Sequence, residues 1–445
     1  MSLSSKPVSE VVRLSDRTHT SHLHDELKTR LHERVVERLD LNSLSALSDE
    51  RAKQELARLL EQLLQQERVM LNQGERDGVI QEVIDEVVGL GPLEPLLADQ
   101  TINDILINTH KKIYVERAGN LELSDVRFRD EGHLRKIIDR IVARVGRRVD
   151  ESSPMVDARL ADGSRFNAII PPLALDGSSV SIRKFSKDPL QLSHLVEKRS
   201  LTAEMGELLK GVVRARLNVL VSGGTGCGKT TILNILSGFI PSKERIVTIE
   251  DAAELQLRQD HVVRLETRPA NIEGKGEITQ RELLKNALRM RPDRIIVGET
   301  RGAEALDMLQ AMNTGHDGSL TTIHANNARD ALSRVETMVS MGGMNIATAG
   351  LRHYISSALD VIIQLTRLSD GTRKVTGISE VTGMQGDIIS LQEIFTYEQL
   401  GLDQTGKVKG QFKATGIRPK CMERLKARGI QLPADVFNPE KVYPC

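Results

Sequence analysis

Apolar residues recur every three or four positions in three stretches near the start of the chain. Leu27, Leu31, Val35 and Leu39 form one stripe, Leu56, Leu59, Leu60, Leu63 and Leu64 a second, and Ile80, Val83, Ile84 and Val87 a third. That period marks amphipathic helices, so residues 23–88 read as a small helical bundle. Its stripes could pack on one another or dock on a partner. Gly89-Leu90-Gly91-Pro92 ends the pattern. Residues 89–185 then read as an α+β domain. Ile102–Ile107, Lys112–Glu116, Leu121–Phe128 and Val180–Phe185 have strand character. Between His133 and Val145, the residues Leu134, Ile137, Ile138, Ile141, Val142 and Val145 share one helix face. Asp162-Gly163 between short strand runs predicts a two-residue hairpin, and Pro171-Pro172 stops the strand that follows it. Residues 186–200 are polar, carry Pro189 and read as a linker.

From 201 to 445 the pattern changes again. The runs Leu217–Ser222, Ile246–Ile249, Arg294–Val297 and Ser319–Ile323 are short and separated by helical stretches, which a parallel sheet requires. Val361–Leu365, Lys374–Val381 and Ile388–Phe395 read as antiparallel strands, with turns at Asp370-Gly371 and Gly386-Asp387. A short basic helix near Arg418–Arg428 and a proline-containing tail follow.

The first of the parallel runs leads into Gly223-Gly224-Thr225-Gly226-Cys227-Gly228-Lys229-Thr230-Thr231, and a helical stretch follows. Strand, glycine-rich turn and helix are the context in which G-x-x-x-x-G-K-[ST] holds phosphate. Gly223, Gly226 and Gly228 free the backbone to turn a row of N–H groups toward one anion, and the helix start adds its positive end. Lys229 would reach the β- and γ-phosphates of a nucleoside triphosphate, and the Thr230 hydroxyl would ligate Mg²⁺. A chance glycine turn would not be expected to stand beside strand ends that also carry acids. Ile249 is followed by Glu250-Asp251, Val297 by Gly298-Glu299, and Ile323 by His324. Glu250 could orient the attacking water, Glu299 could hold the Mg²⁺ shell, and His324 could hydrogen-bond the γ-phosphate. Taken singly, each would be a solvated loop residue. Together at strand C-termini they form a candidate hydrolytic site.

Composition narrows the picture. Lys+Arg and Asp+Glu are both 61, and the chain has no Trp, 4 Tyr and 7 Phe. Neither a global positive field nor a set of stacking platforms points to nucleic acid. Cys227, Cys421 and Cys445 are too few and too scattered for a disulfide framework or a zinc module, which fits a reducing cytoplasm. No apolar run reaches the ~20 residues of a membrane span, and nothing at the start reads as a signal peptide, so membrane contact is expected only through partners. Residues 1–22 are polar and read as disordered. His19, His22, His24 and His32 lack acidic or cysteine support and read as solvated.

Four segments together resemble the secretion ATPase superfamily of pilus and type II/type IV secretion systems. Gly223–Thr230 matches its Walker A loop and Arg245-Ile-Val-Thr-Ile-Glu250-Asp251 its aspartate box. Pro292-Asp-Arg-Ile-Ile-Val-Gly-Glu299 matches the atypical Walker B, and Gly318-Ser-Leu-Thr-Thr-Ile-His324-Ala-Asn326 the histidine box. Within it, the chain is similar to the Flp/Tad pilus assembly branch, CpaF. That likeness rests on Asp150-Glu-Ser-Ser-Pro-Met-Val-Asp157, Asn167-Ala-Ile-Ile-Pro-Pro172 and Thr415-Gly-Ile-Arg-Pro419. The resemblance covers about residues 75–440. It implies an α/β chain whose last domain is a RecA-like ATPase, a homohexameric ring and ATP with Mg²⁺ as substrate and cofactor. It also implies a cytoplasmic location against an inner-membrane platform. Arg165 and Arg183 match the arginines that the family's N-terminal domain sends to the phosphates. The four-Cys metal module of some type II secretion ATPases is missing.

Three other functions compete with an ATP-driven motor for pilus assembly. A conjugation-type type IV secretion ATPase is the nearest, and the motifs alone do not separate it. A nucleic-acid motor fits neither the charge nor the aromatic content. A nucleotide switch with little turnover fits poorly with the presence of both Glu250 and Glu299.

Overall fold

The computed structural model describes residues 27–38, 49–66, 71–117, 119–185, 190–270, 274–343 and 347–444. The polar start with His19, His22 and His24, and residues 186–189 of the expected linker, lie outside them. The chain divides into two compact units, Met1–Ser186 and Lys187–Cys445. No described helix is long and apolar enough to cross a membrane.

In the first unit, the helical stripes bury against one another. Residues 27–38, Asp49–Gln66 and Gln73–Val87 are helices that share a core of Leu27, Leu31, Val35, Leu56, Leu60, Leu63, Val79, Val83 and Ile84. The third stripe is rotated from its expected centre, so that Val79 is fully buried while Ile80 and Val87 only flank it. A capping box starts that helix: Asn72 accepts from the Glu75 N–H, and Glu75 accepts from the Asn72 N–H. His32, expected to be solvated, is half-buried, and burial holds its pKa below the ordinary value.

Six antiparallel strands follow, β1 (Ile102–Thr109), β2 (Lys112–Arg117), β3 (Asn120–Leu123), β4 (Met155–Arg159), β5 (Arg165–Ile169) and β6 (Ser179–Arg183). Their order across the sheet is β3-β2-β1-β6-β5-β4. The helix Glu131–Arg144 buries Leu134, Ile137, Ile138, Ile141 and Val142 in a common core with the strands. Val145 leaves that face: it is the C-cap and is exposed. The hairpin at Asp162-Gly163 is also one residue longer than expected. Leu160 donates to the Ser164 carbonyl and Gly163 to that of Leu160, so the loop has three residues, with Gly163 at φ +91° in the left-handed position.

The second unit is built on one ten-stranded sheet. Its strands are β7 (Val219–Gly223), β8 (Ile246–Glu250), β9 (Val262–Glu266), β10 (Arg294–Val297), β11 (Leu320–Ile323), β12 (Val361–Arg367), β13 (Arg373–Gln385), β14 (Ile388–Leu402), β15 (Val408–Ala414) and β16 (Val442–Pro444). They lie in the order β16-β15-β14-β13-β12-β7-β11-β10-β8-β9. The six strands from β12 to β9 are parallel, and β13 to β16 extend the sheet antiparallel. Alternation along β7 shows why both faces are covered. Val219 and Val221 enter one core with the helices Ala203–Arg214 and Lys229–Ser237. Leu220 enters the other, with Glu304–Asn313, Ala328–Met341 and Thr348–Ala358. The stretch expected to be a linker contains the helix Leu192–Glu197, and its Leu195 belongs to the first of these cores. The α/β architecture is as expected. The antiparallel strands run longer than their apolar cores suggested, and the basic helix is Met422–Ala427.

Candidate active site

The phosphate loop is placed by the central strand of its sheet. β7 pairs in register with β11 on one side (Ile323↔Ser222) and β12 on the other (Leu365↔Gly223). β10 continues the alignment, with Val297 opposite Thr321 of β11 and opposite Ile249 of β8. The C-terminal ends of β7, β8, β10 and β11 therefore line up on one edge, where a parallel sheet gathers its ligand groups.

Each glycine of the loop answers a different demand. Gly226 and Gly228 have φ of +68° and +98°, values that L side chains avoid. Gly223 is required by packing instead: a Cβ there would lie 2.5 Å from Cys227 Sγ and 2.6 Å from the Leu365 carbonyl oxygen. Cys227 is buried in the core below the loop, and burial raises its thiol pKa. It fills space against the loop. Thr230 and Thr231 lie in the first turn of the helix Lys229–Ser237 and are partly exposed. Gly224 and Thr225 are exposed at the tip.

Lys229 is buried, and its Nζ donates to the carbonyls of Gly223 and Gly224, both at 3.0 Å. The same Nζ lies 3.2 Å from His324 Nε2, which in turn lies 2.9 Å from Glu299 Oε1. One ring nitrogen thus faces a donor and an acceptor, and a neutral imidazole can serve only one of them through that atom. Burial and the neighbouring Lys229 charge lower the His324 pKa. The other Glu299 oxygen takes a 2.6 Å contact from Arg301 Nη2, and Arg301 Nη1 reaches Asp251 at 3.3 Å. Lys229, His324 and Glu299 are therefore brought into one chain of contacts. Arg301 was not anticipated. Its only signal is that it extends the polar run after β10.

Glu250 ends β8 and is 3% exposed. Its Oε2 accepts from the backbone N–H groups of Glu254 (2.8 Å) and Leu255 (2.9 Å), while Oε1 has no protein partner. Burial dominates over those two bonds and pushes its pKa up to about 7. The folded protein then keeps a proton that the unfolded chain has already released, so this residue lowers stability progressively as pH rises from the ordinary carboxylate range to about 7. Glu250→Gln is expected to raise stability at pH 8 by about 1–3 kcal/mol, with the gain shrinking toward pH 5. Thermal midpoints of the two proteins at both pH values check this. An equal difference at pH 5 and pH 8 would show that Glu250 does not titrate in between.

Among the described residues, Ser222 Oγ near the end of β7 and Glu250 Oε1 at the end of β8 are buried oxygens without a protein hydrogen-bond partner. Hydroxyl and carboxylate oxygens, such as those of Thr230 in the first turn after the loop and Glu299 just past β10, are the donors that suit hydrated Mg²⁺. No group of three or more His, Cys, Asp or Glu able to hold a metal by themselves occurs among the described residues. Mg²⁺ on a phosphate loop keeps waters and phosphate oxygens as ligands, so it does not need such a cage.

Arg165 and Arg183 lie in the other unit. They stand directly opposite each other on β5 and β6, so their side chains leave the same face of that sheet. Asp104 of β1 is opposite Arg183, and Asp157 Oδ1 is 3.7 Å from Arg165.

A family model described as "Type II/IV secretion system protein" matches residues 86–421. A putative conjugal transfer protein of Mycobacterium tuberculosis is 39% identical over 309 residues, 68% of this chain and 87% of that protein. The conjugal transfer protein TrbB of Rhizobium radiobacter is 30% identical over 65% of this chain and 86% of its own length. Among solved structures, the VirB11 ATPase from the Brucella suis type IV secretion system is 29% identical, with a TM-score of 0.36. It covers 65% of this chain and 95% of that one.

Proposed function

We infer the function from one premise: the chain belongs to the Type II/IV secretion system protein family. It is a secretion ATPase that hydrolyses ATP with Mg²⁺ and passes the resulting motion to a membrane-bound secretion or pilus platform. The observation that carries this reading is the contact chain from Lys229 through His324 to Glu299 at the strand ends beside the phosphate loop. In it, Lys229 and the loop N–H groups hold the β- and γ-phosphates, and Thr230 and Glu299 hold the metal. Glu250 orients the water, and His324 meets the γ-phosphate. A charge arriving there gives Nε2 and Nζ a common partner, so the histidine contacts change with the nucleotide.

Arg165 and Arg183 supply the second part of the proposal. The two side chains leave the same face of their sheet, and a guanidinium's planar fork suits phosphate oxygens. Their part in this reading is to contact the nucleotide's phosphates, as the family resemblance implies, so that hydrolysis depends on them. The protein acts as a homohexamer against an inner-membrane platform and touches the membrane through partners alone. Nucleic acid is not its substrate.

Within the family, the segments around Asp150–Asp157, Asn167–Pro172 and Thr415–Pro419 support a Flp/Tad pilus assembly ATPase. A second reading, a conjugation-type secretion ATPase, is favoured by relatives named for conjugal transfer. Deleting the gene separates them: loss of surface pili supports the first, loss of DNA transfer with pili intact the second.

With a non-hydrolysed ATP analogue, the purified protein is expected to show about six times its monomer mass in solution, since head-to-tail contacts must close into a ring. Arg183→Ala should keep ATP binding while hydrolysis falls. A monomer under every nucleotide condition would overturn the ring. Parental hydrolysis by Arg183→Ala would remove that arginine from the site.

A further inference from the structure

A phosphate loop works by turning its N–H groups inward, which leaves carbonyls that need donors of their own; Lys229 serves those of Gly223 and Gly224. For Gly226 the donor comes from far along the chain: Arg373 Nε donates to its carbonyl at 2.8 Å. Arg373 opens β13 and stands opposite Arg367, the last residue of β12. Both flank the two left-handed turns of the loop. Arg373 Cδ lies 3.7 Å from the place a Cβ on Gly228 would take, and Arg367 Nη1 lies 3.7 Å from the same place on Gly226. Both arginines thus stand at the glycine turns of the neighbouring loop.

The hairpin is well held. β12 is hydrogen-bonded to β7 up to Gly223 itself. At the hairpin turn, Asp370 Oδ1 accepts from the Thr372 N–H at 3.0 Å, and Asp370 Oδ2 accepts from the Val408 N–H of β15 at 2.8 Å. The arginine at the root of β13 is therefore presented by a braced element.

We propose that Arg373 is a positioning residue for the nucleotide: it holds the Gly226 carbonyl outward so that the loop N–H groups stay aimed at the phosphates, while Arg367 adds positive charge at the same turn. This rests on the reading of the loop as an ATP site. The test uses the full-length protein with Arg373→Met, which keeps the stem and removes the donor, and Arg373→Lys, which keeps a charged donor. ATP hydrolysis is measured against ATP concentration, with ADP affinity and the thermal midpoint alongside. Losing a hydrogen bond from a charged donor is expected to raise KM and the ADP Kd of Arg373→Met about tenfold. Its kcat at saturation should stay within about twofold of the parent, the pattern of a lost binding contact, and its midpoint should not move. Arg373→Lys should recover most of the affinity. An unchanged KM in Arg373→Met, or a lysine variant no better than methionine, overturns the proposal. So does a fall of kcat and midpoint together, which would make the arginine a prop for the fold alone. A parent protein that binds no ATP would overturn the ATP reading as well.

Discussion

Lys229→Ala is expected to abolish ATP binding at micromolar nucleotide, and turnover with it. The side chain is 8% exposed and is aimed by the Gly223 and Gly224 carbonyls. A unit charge pair at 4 Å is worth about 4 kcal/mol at an effective dielectric of 20, and that corresponds to roughly a thousandfold in Kd. Alanine also leaves two loop carbonyls and His324 Nε2 without their cation. Equilibrium binding of a fluorescent ATP analogue and phosphate release both report on it, with the thermal midpoint as the check on folding. Binding within a few fold of the parent would mean that the loop does not hold phosphate through this residue.

Glu299→Gln should separate binding from chemistry. The amide has nearly the shape of the carboxylate but no charge, so the loop, Lys229 and the Arg301–Asp251 contact at 3.3 Å remain. Missing are the anionic partners of His324 at 2.9 Å and Arg301 at 2.6 Å, together with a carboxylate for the metal. ATP affinity should stay close to the parent's, while turnover falls by roughly 10²–10⁴-fold, the range for a positioned proton-transfer or charge group. Single-turnover phosphate release on the pre-bound nucleotide measures the chemical step without the binding step. Full hydrolysis would exclude Glu299 from the reacting groups.

Much of the second unit was legible because buried parallel strands announce themselves. Val219–Val221, Ile246–Ile249 and Arg294–Val297 are short apolar runs, and the polar residues at their ends are the ones the sheet lines up. β9 escaped notice because Val262–Glu266 is half-exposed at the sheet edge and alternates too weakly. β15 and β16 are likewise partly exposed, and their pairing with β14 and with each other is set by turns and tertiary contacts.

Within the candidate site, local spacing was enough to point to Lys229, Glu250, Glu299 and His324, since a strand and its following residue travel together. It could not reveal that one His324 nitrogen touches two of the others. Nor could it reveal Arg373, which lies 147 positions from Gly226. Gly223 taught a different lesson. Its motif position suggested backbone freedom, but the Leu365 carbonyl and Cys227 Sγ leave no room for a Cβ. Sequence reasoning sees the residue type and not the neighbour that demands it.

The placing of β7 between β11 and β12 also sets a schedule. On the ribosome, Val219 is made about 100 residues before its partner Leu320 and about 140 before Val361. At ≈ 5–20 residues per second, the strand that carries the phosphate loop waits on the order of ten seconds for its second flank. The Asn218 backbone N–H waits as long for Asp360, whose carboxylate accepts it at 2.7 Å. Contacts this distant in sequence close slowly. The phosphate loop therefore gains both of its flanking strands only after β12 is made, and a nascent chain released before that would carry the motif without the sheet that holds it.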